Sequence, residues 1–486
     1  LCRTNKYNLN LLKNIFLFFY PRDIKIFKTL FFLSLPIILS NLSRVIMSLV
    51  DVAMVGHLGS TYLAAAGMGG MIFWGVLSLA IGIRTAVQTT TSRRLGQDRL
   101  DECGTSLRNG FLMATIYSLP LSILGWQYSY KIMPYFINEG LAMDAAISYT
   151  SIIFLSLFFS AQSFVLTGFY NGIEKTKIHL SVTIASNLIN IYLNLGLIYG
   201  SDGVREIFQN SFLKLFNIHY LWNIFYFPEL GIKGAAIGTV ISSIWMMGHY
   251  SIYLFKSPIR LPFNVFSITF DKILFFRQFR LAIPMGIQEA FISTGFLVFY
   301  KLMATNGLLE LAVTQLLFQI MHASFMPAIG VGQAVSTLVS KYMGEGKIKK
   351  SVSSIREGVL LSEYIMGSMG ILFILFPEII LNIFTKDTEI ITYGIYGLRI
   401  LGFVQFVDAI GLTLWFALSG AGNTFFPAVL ESVLIWFLLL PGSYFLGVYL
   451  NFGFKGAMIP FPIYIFIFSV VMIWKIKKGD WKQIVV

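Results

Sequence analysis

Twelve long apolar runs, parted by short clusters of turn-forming and charged residues, dominate the chain. They fall near residues 30–55, 64–91, 105–128, 146–169, 178–200, 232–255, 281–304, 312–340, 356–377, 392–418, 426–448 and 456–474. Each is close to the ~20 residues that a helix needs to cross the hydrocarbon core of a bilayer. Only 12 % of the residues are charged while 56 % are hydrophobic, against roughly 25 % charged in a soluble chain. No soluble core hides that much apolar surface with so few charges left for the exterior. A cytoplasmic enzyme, a nucleic-acid binder and a secreted module are thereby excluded. The expected fold is an all-α integral membrane protein of twelve transmembrane helices.

The net charge of +13 then reads as the excess of Lys and Arg in cytoplasmic loops rather than as a nucleic-acid footprint. Of the 36 basic residues, 26 lie in or at the edge of the N-terminal arm, the even-to-odd connections and the C-terminal tail, and 7 on the opposite side. Both termini are therefore expected in the cytoplasm. Cys2 and Cys103 cannot make a disulfide framework and neither has metal-ligand spacing. The first apolar run, Leu11–Tyr20, is broken by Lys13 and followed by Pro21 and Arg22. It is too short to span and lacks a small-residue cleavage site, so it reads as an interfacial arm and not a signal peptide.

An internal repeat organises the rest. Gly59 pairs with Gly307, Gly82 with Gly330, Ser92 with Ser340, Gly96 with Gly344, Arg108 with Arg356, Gly110 with Gly358, Gly172 with Gly420 and Thr176 with Thr424, always 248 residues apart. Gly231-Ile232-Lys233-Gly234-Ala235 then matches Gly453-Phe454-Lys455-Gly456-Ala457 at a separation of 222, which places an insertion in the first half around Ser201–Phe227. An even number of helices per repeat makes the two copies run in the same direction, related by a pseudo-two-fold along the membrane normal around a central cavity. The expected organisation is an arm over 1–28, a first lobe over 29–255, a cytoplasmic linker over 256–280, a second lobe over 281–474 and a cytoplasmic tail over 475–486.

Ionised residues within a span cost roughly 2.5–3.5 kcal/mol each on insertion scales, which makes them functional candidates. Asn41, Arg44, Ser48 and Asp51 share one face of the first span by helical spacing. Arg44 is expected to face the cavity and act on a nearby carboxylate, which leaves room for an anionic or zwitterionic substrate. The alternative is a packing pair with Asp51, about 10 Å away along the axis. Asn187, Asn190 and Asn194 form a second stripe in the fifth span, serving either a site or interhelical hydrogen bonds. Gln405 and Asp408 lie one turn apart in the tenth, and Glu289 follows Pro284 in the seventh. Arg84 and Arg399 are expected to snorkel toward the interface. His57, His179, His219, His249 and His322 are scattered without a carboxylate or nucleophile at a motif spacing, and no Gly-rich loop with Lys is present to hold ATP phosphates. No enzyme activity, metal centre or cofactor is expected.

The chain resembles the multidrug and toxic compound extrusion (MATE) family of secondary transporters. The likeness rests on Val50-Asp51-Val52-Ala53-Met54-Val55-Gly56-His57-Leu58-Gly59 with Leu63-Ala64-Ala65-Ala66-Gly67, on Gln88 with Arg94-Leu95-Gly96, and on Gly231-Ile232-Lys233-Gly234-Ala235-Ala236. It extends to Gln405-Phe406-Val407-Asp408-Ala409 and Ser419-Gly420-Ala421-Gly422-Asn423-Thr424. What the resemblance implies is a monomeric antiporter of the inner or plasma membrane. It would export cationic, often aromatic, small molecules against protons or sodium ions by rocking alternating access. Asp51 corresponds to the family's first-helix aspartate and Asp408 to a cation-site aspartate of the NorM-type branch. That branch's glutamate spacing would fall on Ile292, so Glu289 serves either the ion path or packing at the helix end. Asn194 stands where another branch carries aspartate. Asparagine ligates an ion through its carbonyl but carries no proton, which leaves Asp51 as the one carboxylate of a first-half site supported by Asn190, Asn194 and Thr239. Sodium, if used, would sit there or at Asp408. The rival readings are a lipid-linked oligosaccharide or lipid II flippase of the same superfamily, and a membrane receptor or scaffold that transports nothing.

Overall fold

Inside a bilayer every backbone N–H and C=O must find its partner within the protein, and a helix does this within one segment. The computed structural model describes residues 20–137, 140–209, 218–267 and 270–485; the run read as an interfacial arm lies outside them except for Tyr20. Within the described residues the chain forms twelve helical spans, six in each half of the sequence. They are α1 (Ile24–Gly56), α2 (Ser60–Gly96), α3 (Leu100–Ile132), α4 (Leu141–Phe154 with Ser156–Gly172), α5 (Thr176–Gln209), α6 (Ile232–Phe255), α7 (Lys272–Asn306), α8 (Leu308–Gly344), α9 (Ile348–Leu375), α10 (Thr388–Ala421), α11 (Phe425–Tyr449) and α12 (Gly453–Lys478).

Nine of these are long and apolar enough to cross a membrane by length and composition alone, and α4, bent by 43°, makes a tenth. The other two, α3 and α6, have the length but carry polar side chains along it, among them Ser118 and Ser122 in α3 and Ser242 and Ser243 in α6, all buried. Each expected segment lies within one of these spans, except that α9 stops at Leu375, before Pro377, rather than at 377. Several helices run further than the apolar pattern did. The expected linker over 256–280 contains a short helix, Ser257–Phe263, and the first turns of α7.

The repeat holds at the level of turns. The α2–α3 turn closes with Asp98 N–H on the Leu95 carbonyl and Arg99 N–H on that of Arg94; the α8–α9 turn repeats this with Gly346 on Met343 and Lys347 on Tyr342. Asp98 has φ 60° where Gly346 has 71°, and Glu174 has φ 61° where Gly422 has 96°. The left-handed conformation is thus kept even where one copy lacks the glycine that adopts it freely. Helix crossings repeat too. A Cβ on Gly110 would run into Val87 and Val165, and one on Gly358 would run into Val335 and touch Thr413, the equivalent residues of the other half. At one crossing the small residue changes sides: Gly168 sits against the Arg84 backbone, whereas in the second half Gly332 makes room for Phe416.

By packing, the chain divides into two compact units, one comprising Leu39–Thr294 (the N-unit) and the other the chain up to Ile38 with Gly295–Val485 (the C-unit). Both α1 and α7 therefore start in one unit and end in the other. In the C-unit, Asp23 caps the start of α1 (Oδ1 accepting from Ile26 N–H at 3.1 Å), and its own N–H donates to Glu357 Oε1 of α9 at 3.3 Å. In the N-unit, Asp271 caps α7 in the same way (Leu274 N–H at 3.0 Å), and its carbonyl accepts from Asn109 Nδ2 of α3 at 3.2 Å. Asp23 and Asp271, like Glu357 and Asn109, are repeat equivalents.

These crossings predict a graded response to added methyl groups. Gly110→Ala and Gly358→Ala each force a valine aside and are expected to lower stability by about 1–3 kcal/mol. Gly420→Ala meets the Ser336 backbone, which cannot rotate away, and should cost more; Gly67→Ala and Gly70→Ala face open space and should cost least. Thermal unfolding of the purified protein in detergent measures the order, and equal melting points for Gly420→Ala and Gly70→Ala would contradict the packing described.

Candidate functional site

Side chains at i, i+3 and i+7 share a helix face, and α5 presents Asn187, Asn190 and Asn194 in that pattern. The structure joins two of them to Asp51. Asn194 Nδ2 donates to Asp51 Oδ1 at 2.8 Å and to Asn190 Oδ1 at 3.0 Å, while Asn190 Nδ2 donates to Ser242 Oγ of α6 at 3.1 Å. Asn190 and Asn194 are buried and Asp51 is half-buried. A Cβ on Gly238 would coincide with Asn194 Oδ1, so this glycine gives the amide its place. Asn194 Oδ1 is itself buried and has no hydrogen-bond partner among the described residues. The amide face that meets Asp51 is the NH2, with Oδ1 turned against Gly238; a hard cation at Asp51 would take that oxygen as a ligand only with the amide turned over.

The other expected members of this group lie apart from it. Asn187 Nδ2 donates to Ser43 Oγ at 2.7 Å. The Thr239 hydroxyl is satisfied by the Ala235 carbonyl of its own helix at 2.9 Å. Arg44 pairs neither with Asp51 nor with any other carboxylate among the described residues; it donates to Asn41 Oδ1 at 3.1 Å. The packing pair weighed for Arg44 and Asp51 is therefore not formed, because two turns of separation on one helix leave each side chain to neighbours at its own depth.

Arg44 instead belongs to a second group that sequence reasoning missed. Its charge acts on Tyr250 of α6, on His179 of α5 and on Arg84 of α2, and Arg84 in turn attracts Glu289 of α7. Arg84 was expected to snorkel, yet only 8 % of it is exposed. It stands 12 residues before the end of α2 at Gly96, about 18 Å along the axis, beyond the reach of its side chain. Arg399, by contrast, is exposed. The signal for His179 was its position inside an expected span with Thr183 one turn on.

In the C-unit, Asp408 is half-buried and makes no hydrogen bond to a described residue. Gln405, one turn earlier, is fully buried with both amide atoms unpaired among the described residues. A carboxylate that sequence reasoning passed over, Glu363, opens a π-helical turn in α9, Glu363–Gly367, where the Gly367 backbone packs against the Phe406 ring next to Gln405. Single π-turns within α-helices occur frequently at functional sites. An acidic residue inside the expected segment 356–377 was the signal.

Twelve spans in two like-directed repeats, with half-buried carboxylates and buried amides in the apolar helices, define a duplicated polytopic membrane protein. The MatE family model matches residues 36–195 and 284–445, two segments that begin 248 residues apart. The chain belongs to the MatE family, the MATE family of membrane transporters. It is 27 % identical over 461 residues to a probable multidrug resistance protein NorM of Thermotoga maritima, covering 94 % of this chain and 93 % of that one. It is 25 % identical over 463 residues to the probable multidrug resistance protein YoeA of Bacillus subtilis, covering 92 % of each. Among solved structures, it is similar in fold to a superfamily transporter from Pyrococcus furiosus whose binding pocket is described as having reverse polarity (TM-score 0.83, 18 % identity, 94 % and 97 % of the two chains). The eukaryotic MATE transporter AtDTX14 is also similar (TM-score 0.79, 19 % identity, 95 % and 97 %).

The Asp51 group makes a prediction about Asn194. Asn194→Ala removes the amide that donates to Asp51 and should lower stability by about 1–3 kcal/mol. Asn194→Asp places a second carboxylate at hydrogen-bond distance from the first, so sodium should raise its melting point more than that of the parent, relative to choline at equal ionic strength. A sodium response no larger than the parent's would show that these oxygens do not share a cation.

Proposed function

We propose that the protein is a secondary active antiporter of an inner or plasma membrane that exports small organic cations, many of them aromatic, in exchange for protons or sodium ions by rocking alternating access. The observation that carries this reading is the Asp51–Asn194–Asn190 chain inside the spans. A lone carboxylate there is neutralised in one of three ways: by a proton, by a sodium ion or by a cationic substrate. Ligands that neutralise the same charge exclude one another, and mutual exclusion at one group is what an exchanger needs. The names of the curated relatives, multidrug resistance proteins, support drug-like compounds as cargo. Phe, Tyr and Trp make up 16 % of the chain, and those that line the path receive cationic rings by cation–π contact. The fold family supports alternating access.

One charge moved inward across 100 mV supplies about 2.3 kcal/mol, enough for a roughly fiftyfold concentration ratio. Purified protein in liposomes, given proton and sodium gradients separately, tests the assignment. Asp51→Asn should abolish gradient-driven efflux of a fluorescent cation while leaving expression and insertion intact. Asp408→Asn should be equally damaging if the C-unit binds sodium, and milder if coupling is by protons. Full efflux by Asp51→Asn would remove that residue from the mechanism and move the assignment to Asp408 and Glu289.

The orientation is proposed from charge. Cysteines placed at Lys347 and Lys478 should be shielded from an impermeant thiol reagent in intact cells, and one at Lys386 should be labelled. Labelling of Lys347 and Lys386 positions alike would overturn it.

A further inference from the structure

We infer that Arg44 and Arg84 of the N-unit form a subsite for the carboxylate or phosphate group of an organic substrate, an inference that rests on the export reading above. Arg84 is buried, makes no hydrogen bond to any described residue and leaves its Nε without a partner. Its side chain lies over the Phe164 ring, 5.6 Å from the centroid, and finds no carboxylate within ion-pair distance among the described residues. A guanidinium has five donors arranged to match the oxygens of a carboxylate or phosphate. A protein rarely keeps such a group buried with none of them used.

Arg44 adds a second positive charge with one hydrogen bond, to Asn41. The groups facing this pair are Glu289, His179 and Tyr250. Glu289 offsets one of the two guanidinium charges through space, which leaves the place for one more negative charge. Tyr250 and His179 are close enough to both arginines to feel their charge. The Tyr250 hydroxyl is 2.5 Å from His179 Nδ1 and 3.1 Å from Thr167 Oγ1, and its ring stacks on Tyr170 at 5.6 Å between centroids. Thr167 donates to the Ser163 carbonyl at 2.9 Å, so Tyr250 donates to Thr167 and accepts from His179 Nδ1–H. That assignment leaves His179 Nε2 buried, with no partner among the described residues. The repeat equivalents of Arg84 and His179 in the second half are Gly332 and Pro427, so the pair is not duplicated there. A substrate held at once by this subsite and by a carboxylate is a zwitterion, with its negative group on the arginines.

The test is binding to the full chain in detergent, read by calorimetry and thermal shift, with four probes that share one ring system: naphthoate, naphthyl phosphate, naphthamide and naphthylmethylammonium. Naphthoate or naphthyl phosphate should bind measurably more tightly than naphthamide. Arg84→Gln and Arg44→Gln should each weaken the anion about tenfold, the loss of one charge-assisted hydrogen bond. Arg84→Lys should retain part of the affinity. Glu289→Gln should tighten anion binding roughly tenfold by removing the competing negative charge, an effect that a merely structural glutamate would not give, and it decides the matter even if Arg84→Gln fails to fold. Equal binding of naphthoate and naphthamide, or anion affinity unchanged in both Arg84→Gln and Glu289→Gln, would overturn the subsite. Because binding is read without a gradient, tight naphthylmethylammonium binding with no anion binding would sink the subsite and leave export of cations standing; a failed efflux experiment would do the reverse.

Discussion

Two aspartate caps hold the framework on which everything else rests. Asp23 starts α1 on the α9 residue Glu357, and Asp271 starts α7 on the α3 residue Asn109. Each first helix of a repeat thus begins on the third helix of the other repeat and returns to its own further along. Glu289 lies in the N-unit as a result of this exchange, whereas Asp51 lies in the unit of its own repeat. Had each repeat kept its own first helix from end to end, Glu289 would belong to the C-unit and not lie with Arg84. Both exchanged helices carry a proline before the crossing, Pro36 two residues ahead of it and the equivalent Pro284 ten, and a missing N–H there lets a helix change direction.

Over this symmetric framework the charges are placed asymmetrically. Asp51 has the fully buried Phe299 as its repeat equivalent, Asp408 has Ser160, and Glu363 has Thr115. Turn geometry and helix crossings are shared because the same backbone problem is solved twice. A charged side chain within a span costs roughly 2.5–3.5 kcal/mol, which makes each of these positions a candidate for function and not for packing alone. The two halves therefore share a scaffold and divide the chemistry. The N-unit holds a carboxylate–amide chain and a pair of arginines; the C-unit holds carboxylates beside an unpaired glutamine amide.

What could be read from the residues follows the same division. The spans were legible because a bilayer imposes one length and one polarity on every crossing, and the repeat because most of the glycines at tight turns and crossings recur in both halves at a fixed separation. The grouping of Asp51 with Asn190 and Asn194 was legible from helical spacing, since a polar face on an apolar helix must meet another polar face. Spacing identifies a face but not the helix opposite it. Hence Arg44 pairs with Asn41 and not with Asp51, Asn187 reaches Ser43, and Thr239 bonds to its own backbone. Arg84 was misjudged because the apolar pattern stops at residue 91 while the helix runs on to Gly96 with buried threonines and arginines. Glu363 was missed because a π-turn leaves no mark in hydropathy.

The exchanged helix starts also bear on how such a chain came to be. A single six-helix repeat would have had no α9 of its own for Asp23 to grip. Two half-length chains lying parallel in one membrane could have lent each other their N-terminal ends, each capped by the other's third helix. A domain-swapped homodimer of that kind needs only gene fusion to become this protein. The stretch between the two repeats, with its short helix Ser257–Phe263, is where such a join would fall.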